Sequence, residues 1–502
     1  MQTSTFTINK DVPRVVEFTG LLPDTEYFYR INYRESDSKS SYIAGPGRFF
    51  HTSRPTGSTF MFALEADPHM DNNSDSAAYA QTLQNILAEK PDFLFDLGDN
   101  FMSEKLPVIN QNTITGRHLL LRSFYAQACH SIPLFLILGN HEGELGWKLD
   151  GTENSLPVMA SNTRKLYFPN PVPNAYYSGN TKEEPFVGLR ENYYAFEWGD
   201  ALFVVLDPFW YTLKKPGWGW TLGFEQYNWF KATLSESEAK FKFVFCHNLV
   251  GGYGNDARGG AEFVDFFEMG GYNADGTYAF DENRPGWQES IHSLMKENNV
   301  NIFFHGHDHF FGKQEKDGII YQEVPQPSNN NITRISAAEY GYVDGVFLPG
   351  RGYLRVTVSP ENVKVDYVRS YLPAEENATQ KNREIAYSYT IENVTSAIDN
   401  QNENMQFPAI EQNYPNPFTQ RTKIIYRIPE KNNVEIKIFN LFGKEVTTLA
   451  SQIQEPGSYS VSFDAENENI PEGMYLCQLQ TGNYIRTIKM IYSSSFKYDG
   501  ND

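Results

Sequence analysis

A chain of 502 residues has room for two to four domains. Its composition, 40% hydrophobic and 21% charged, is that of folded globular protein, and 15% aromatic residues suits β-rich domains. Lys and Arg total 42 against 62 acids, a net −20 that repels a phosphate backbone and excludes general nucleic-acid binding. The chain opens on MQTSTFTINK, which lacks the basic start and apolar stretch of a signal peptide. Residues 1–56 then alternate as short strands (VVEFTGL, TEYFYRINYR, GRFFHT). Residues 58–390 read as one large α/β domain with six apolar runs: TFMFALEA, DFLFDLG, PLFLILG, ALFVVLD, FKFVFCH and NIFFHG. Near-continuous apolar runs mark strands buried on both faces. Helices are expected at about 76–90 and 117–129, and the stretch 209–230 is unusually aromatic. Residues 393–412 are polar and aperiodic, a linker. From 413 to 495 short strands and turns return, an all-β sandwich.

Five of the six apolar runs lead into metal-ligand residue types: Asp67-Pro68-His69, Gly98-Asp99-Asn100, Gly139-Asn140-His141-Glu142, His247-Asn248 and Gly306-His307-Asp308-His309. Open α/β sheets place their sites beyond the carboxyl ends of strands, so five loops are expected to converge on one rim. Carboxylate, imidazole and amide oxygen suit transition ions better than calcium. Seven such side chains suit two ions sharing a carboxylate. A pair of ions clamps the oxygens of an in-line phosphoryl displacement and makes a bridging hydroxide available near neutral pH.

The ordered set D-x-H, G-D-N, G-N-H-E, a lone His after a strand and G-H-x-H resembles the calcineurin-like metallophosphoesterase family over about 58–390. The resemblance implies an α/β fold (an α+β sandwich, two stacked mixed β-sheets flanked by helices), here between a partial all-β N-terminal segment and an all-β C-terminal sandwich. It implies one ion on Asp67, His69 and His309, a second on Asn140, His247 and His307, and Asp99 between them. His141 resembles the family's histidine that contacts the phosphoryl group and protonates the leaving oxygen, oriented by Glu142 or another acid. The architecture is similar to that of purple acid phosphatases, with two departures: His69 stands where those proteins carry Gly, and Met102 where they carry a metal-bound Tyr. The metals implied are two divalent or trivalent transition ions, manganese, iron or zinc.

Around this set, Arg258 and Asn100 are candidate substrate contacts, and Asp207 and Glu142 candidate supports of the ligands. His305 is expected to point away from the site by strand alternation. The aromatic stretch 209–230 either walls a substrate pocket or packs its loops. Cys129, Cys246 and Cys477 form no disulfide framework.

The Leu22-Pro23-Asp24-Thr25-Glu26-Tyr27 segment resembles the tyrosine corner of a fibronectin III sandwich, making 1–56 part of such a domain. The tail, with Asn413-Tyr414-Pro415-Asn416-Pro417-Phe418, VEIKIFNLFGKEV and a closing Lys489-Met490, resembles the C-terminal sorting domain of type IX secretion. That resemblance implies outer-membrane secretion machinery as a partner and a secreted or cell-surface location, with upstream sequence carrying the export signal. The expectation is a secreted two-metal enzyme acting on small phosphate mono- or diesters. The alternative is a surface binding or adhesion protein that kept the fold without catalysis. Neither reading fixes the oligomeric state.

Overall fold

The structure is a computed structural model, and it describes residues 2–35, 39–71, 74–392, 408–440, 443–465, 468, 470–482 and 484–493. The chain divides into two compact units, residues 1–336 with 349–394, and residues 337–348 with 395–502.

The first unit is built on two sheets. One has the order Ile385–Glu392, Asn362–Arg369, Gly352–Val358, Phe60–Glu65, Phe93–Asp96, Leu134–Leu136, and the last three strands run parallel. In the other, Ile319–Glu323, Ile302–His305, Phe241–Phe245 and Ala201–Val205 lie parallel, and Phe311–Lys316 and Tyr194–Trp198 flank them antiparallel. Strand alternation sorts the side chains into layers. Phe62, Phe93 and Phe95 of the first sheet meet Phe196, Phe203, Phe243 and Phe245 of the second. The closest pair, Phe95 and Phe245, has ring centroids 4.3 Å apart. The opposite faces carry Ala63, Leu94 and Leu136 under Tyr79, Leu83, Ile86 and Leu121, and Leu202, Val204 and Val244 under Tyr227, Phe230 and Leu234. Helices therefore cover both outer faces, the architecture the sequence implied.

The helix expected near 76–90 spans Ser76–Glu89. Asp75 caps it by accepting from the N–H groups of Ala77 and Ala78, and it ends where Lys90 turns left-handed at φ 55°. The helix expected at 117–129 starts earlier, at Gln111, and ends at Tyr125. Its start was masked by polar residues, but Asn110 and Thr113 form a reciprocal capping box.

The N-terminal segment clusters with the first unit rather than standing alone. Its described strands are two short antiparallel pairs, Glu26–Tyr29 with Arg48–His51 and Asn32–Tyr33 with Ile43–Ala44. The Tyr27 hydroxyl accepts from the Leu22 N–H at 2.8 Å, tying the chain across the corner.

The second unit packs the strands Arg421–Ile428 and Gly457–Asp464 against Asn432–Asn440, Gly473–Thr481 and Tyr484–Tyr492 around Ile424, Tyr426, Ile436, Ile438, Cys477 and Leu479. Two expected boundaries shift. Of the linker 393–412, residues 393–407 lie outside the described residues, but Ala409–Ile410 already pairs with the Arg421–Ile428 strand. Buried Ile410 belongs to that core, so the sandwich begins inside the interval assigned to the linker. Residues 337–348, assigned to the large domain, belong to the second unit, where Gly345 and Val346 pair with Ile485 and Tyr484 at the edge of its sheet. Residues 494–495 lie outside the described residues. Among the described residues no helix is long and apolar enough to cross a membrane.

Candidate metal centre

The five loops do converge. The Asp67 and Asp99 loops follow adjacent parallel strands, as do those of His247 and His307. The turns are tight enough that five ligand candidates sit at positive φ: Asp67 (59°), His69 (43°), Asp99 (56°), His307 (82°) and His309 (67°). Such backbone persists only where neighbours over-determine it. Two glycines permit the close approach. A Cβ on Gly139 would lie 2.2 Å from Asp99 Oδ1, and one on Gly306 2.6 Å from Asp67 Oδ2.

The side chains gather into two groups, Asp67 with His69 and His309, and Asp99 with His247 and His307. In the first, His69 Nε2 and His309 Nε2 are 3.1 Å apart, and Asp67 Oδ1 is 3.6 and 3.3 Å from them. In the second, His247 Nε2 is 3.2 Å from His307 Nδ1 and 3.0 Å from Asp99 Oδ2. Facing ring nitrogens repel through their lone pairs unless a proton or cation lies between them. Two ligands bound at about 2.0–2.1 Å and at right or tetrahedral angles sit roughly 2.8–3.4 Å apart, and four of these five spacings fall in that range, Asp67 to His69 being the longer one. Each aspartate gives one oxygen to a backbone N–H, Asp67 Oδ2 to His307 N at 2.7 Å and Asp99 Oδ1 to His141 N at 2.8 Å. The other oxygens, Asp67 Oδ1 and Asp99 Oδ2, are buried with no hydrogen-bond donor, as is Asn140 Oδ1. Two orphaned buried carboxylate oxygens beside converging imidazoles fit cations. Burial disfavours both carboxylates as anions, yet His309 and His247 beside Asp67, and His247 and His141 beside Asp99, hold them below the usual range.

The outer ring nitrogens fix tautomers. His247 Nδ1 meets Leu97 O and His307 Nε2 meets Asp256 O, each at 2.8 Å. His141 stands beside the groups, its Nε2 3.9 Å from Asp99 Oδ2 and its ring 5.5 Å from that of His69. The acid that orients it is Glu104, whose Oε1 lies 2.5 Å from His141 Nδ1. Burial favours the neutral ring, but Asp99 and Glu104 outweigh it and raise the pKa of His141. Glu142 does not touch that ring. It accepts from Asn100 N at 2.6 Å and Gly139 N at 2.7 Å, stapling two ligand loops together.

Asn100, expected among the substrate contacts, is instead buried: its Nδ2 donates to Asp96 and its Oδ1 accepts from Tyr125. A strand-end asparagine beside a buried aspartate and tyrosine satisfies them first. Asp207 reaches no candidate ligand directly. It accepts from Arg190 and Asn192, in a buried chain where Arg190 also meets Glu144 and Glu144 meets Arg164. Burial opposes ionisation of Glu144, but Arg164 and Arg190 prevail and bring its pKa to about 2. Arg258 braces the last block, its Nη1 donating to His307 O at 2.7 Å and Asp308 Oδ1 at 2.8 Å, with its side chain 26% exposed. The aromatic stretch packs: Phe209, Trp220, Tyr227 and Phe230 are core residues. Met102 is a thioether acceptor for Lys105 Nζ. His305 points away from the centre onto Glu323, its Nδ1 2.8 Å from Oε2. Glu104 and Glu323 went unnoticed in the sequence, since neither falls in a ligand block.

Residues 60–311, just over half the chain, match the model of the calcineurin-like phosphoesterase family. The chain belongs to that family. It is therefore a metal-dependent phosphoesterase, and the converging side chains lie at the strand ends of its catalytic unit. Residues 412–493 match the model of the secretion system C-terminal sorting domain, which indicates export to the cell surface or beyond. No curated protein matches in sequence. Among solved structures, PhoD aligns with a TM-score of 0.52 at 18% identity, over 74% of this phosphoesterase and 76% of PhoD. The purple acid phosphatase PPD1 from yellow lupin (Lupinus luteus) seeds aligns with a TM-score of 0.48 at 16% identity, over 74% of this chain and 60% of that one. At 18% identity the likeness to PhoD is one of fold.

Proposed function

We propose that this phosphoesterase hydrolyses small phosphate mono- or diesters outside the cell, with one metal ion on Asp67, His69 and His309, a second on Asn140, His247 and His307, and Asp99 shared. The observation that carries the reading is Asp99 Oδ2, a donorless buried oxygen 3.0 Å from His247 Nε2 and 3.9 Å from His69 Nε2, so one atom faces both groups. Bound there, two transition ions such as manganese, iron or zinc would polarise the phosphoryl oxygens and make water nucleophilic near neutral pH.

The chain's own residues do the rest. Glu104 keeps the Nδ1 proton of His141 in place, leaving Nε2 toward the centre. A protonated His141 there stabilises charge on the phosphoryl group and hands a proton to the departing alkoxide. Arg258, held against the last ligand block through its Nη1 and partly exposed, is the guanidinium that would meet a phosphate oxygen. In a chain of net charge −20, the cationic centre is what draws an anionic ester in. The sorting domain supports type IX outer-membrane machinery as a partner, and outside the cell nucleotides, sugar phosphates and lipid head groups would be within reach of such an enzyme.

The test is metal analysis of the purified protein together with hydrolysis of aryl phosphate mono- and diesters. Two ions per chain and turnover of at least one ester class are expected. Protein loaded with both ions that hydrolyses neither class would sink the proposal.

A further inference from the structure

Three consecutive backbone N–H groups run through the turn that ends the ligand set, and all three donate to oxygens of acidic side chains. His307 N donates to Asp67 Oδ2 at 2.7 Å, Asp308 N to Glu323 Oε1 at 3.0 Å, and His309 N to the same Glu323 oxygen at 3.1 Å. The turn needs such holding, because His307 and His309 both sit at positive φ. It also has an unusual task, since it presents one imidazole to each group, His307 beside Asp99 and His309 beside Asp67.

We propose that Glu323 is the positioning residue that sets the spacing of the two metal ions, by gathering the Asp308 and His309 N–H groups onto one carboxylate oxygen. The inference rests on the two-ion reading above and extends it to a residue outside the ligand blocks. Glu323 is the last residue of the Ile319–Glu323 strand, and it pairs in register with His305, the last residue before Gly306. It is 0% exposed, so it reaches the centre from the protein side. His305 Nδ1 lies 2.8 Å from its other oxygen, so the carboxyl group is enclosed on that side as well. Asp308 is braced separately by Arg258 and by Gly259 N, which orients the turn without touching the oxygen that gathers it. A shift of that oxygen would move both imidazoles at once, each against a different partner.

The test uses Mn(II) loading of the full chain, read by metal content, by the exchange-coupled electron paramagnetic resonance signal of an ion pair, and by the melting-temperature rise on adding Mn(II). Glu323→Asp withdraws the oxygen by one carbon–carbon bond, about 1.5 Å. It is expected to weaken binding of the second ion at least about tenfold, change or abolish the coupled signal, and shrink the metal-induced rise. Glu323→Gln keeps a carbonyl oxygen for the two N–H groups and is expected to retain two coupled ions. Glu323→Asp with a wild-type signal and rise, or folded Glu323→Gln that loses the pair, overturns the inference. A merely structural role would lower the melting temperature of metal-free Glu323→Asp and leave the metal-induced rise intact, which also overturns it. Wild-type protein that binds no ion pair would instead defeat the two-ion reading itself.

Discussion

The two halves of the metal centre are built differently. The half of Asp99, His247 and His307 is wholly buried, and each imidazole is locked from behind by a backbone carbonyl. The half of Asp67, His69 and His309 is looser. His309 has 34% of its side chain exposed, and the outer nitrogen of His69 faces Asp71 only at 3.7 Å. A prelocked ring loses little freedom when it coordinates, whereas an exposed one must be ordered first. The difference teaches how the proposed ion pair should behave: the inner half is built to anchor an ion, and the outer half, open to solvent, to exchange one.

The strongest way to break that contrast is Asp99→Asn, because Asp99 borders both halves. We expect kcat/KM to fall by about 10³-fold or more, with metal content below two ions per chain. An unchanged rate at full occupancy would erase the shared role. Next, His141→Ala should lower kcat by about 10²–10⁴-fold while two ions stay bound. Loss of an ion would make His141 a ligand. Glu104→Gln should cost about 10–100-fold and shift the pH–rate profile. Since Glu104 helps raise the pKa of His141, its removal lowers that pKa, so the limb needing protonated His141 moves to lower pH. The contrast itself is sharpened by chelator titration. The outer ion should leave first, with an affinity about 10–100-fold weaker, and His309→Ala should keep one ion where His307→Ala disturbs the tighter site.

The last effect bears on stability and leaves both halves alone. His118 is buried and accepts this as a neutral ring: burial lowers its pKa from 6.5 to about 4. A depressed folded pKa contributes stability that is full above about pH 6.5 and drains as pH falls toward 4, about 3 kcal/mol in all. Denaturant midpoints measured across that window should show the slope, and His118→Phe should flatten it.

Much of this was legible in the chain. Each ligand block followed a run such as FKFVFC or NIFFH, and a buried strand can end only in a turn at the sheet rim, so the convergence of Asp67, Asp99, His247 and His307 could be read from order alone. What escaped was whatever depends on two segments meeting without a shared pattern. Glu104 lies in a short turn, Ser103–Lys105, with nothing local to mark it as the partner of His141. Glu323 ends a strand whose pairing with Ile302–His305 is long-range. Asn100 stood in a ligand block, and residue type alone could not tell that Asp96 and Tyr125 would claim its amide. The start of the Gln111–Tyr125 helix was hidden because a capping box signals through two polar residues rather than through apolar period.

The left-handed backbone at Asp67, His69, Asp99, His307 and His309 has a bearing on how such a chain can change over generations. Aspartate, asparagine, histidine and glycine tolerate that conformation, and β-branched residues do not. A lineage that gave up the chemistry would still inherit the bends. Its vacated positions would drift toward glycine or asparagine rather than valine, leaving the outline of the old centre written in residues that bind nothing.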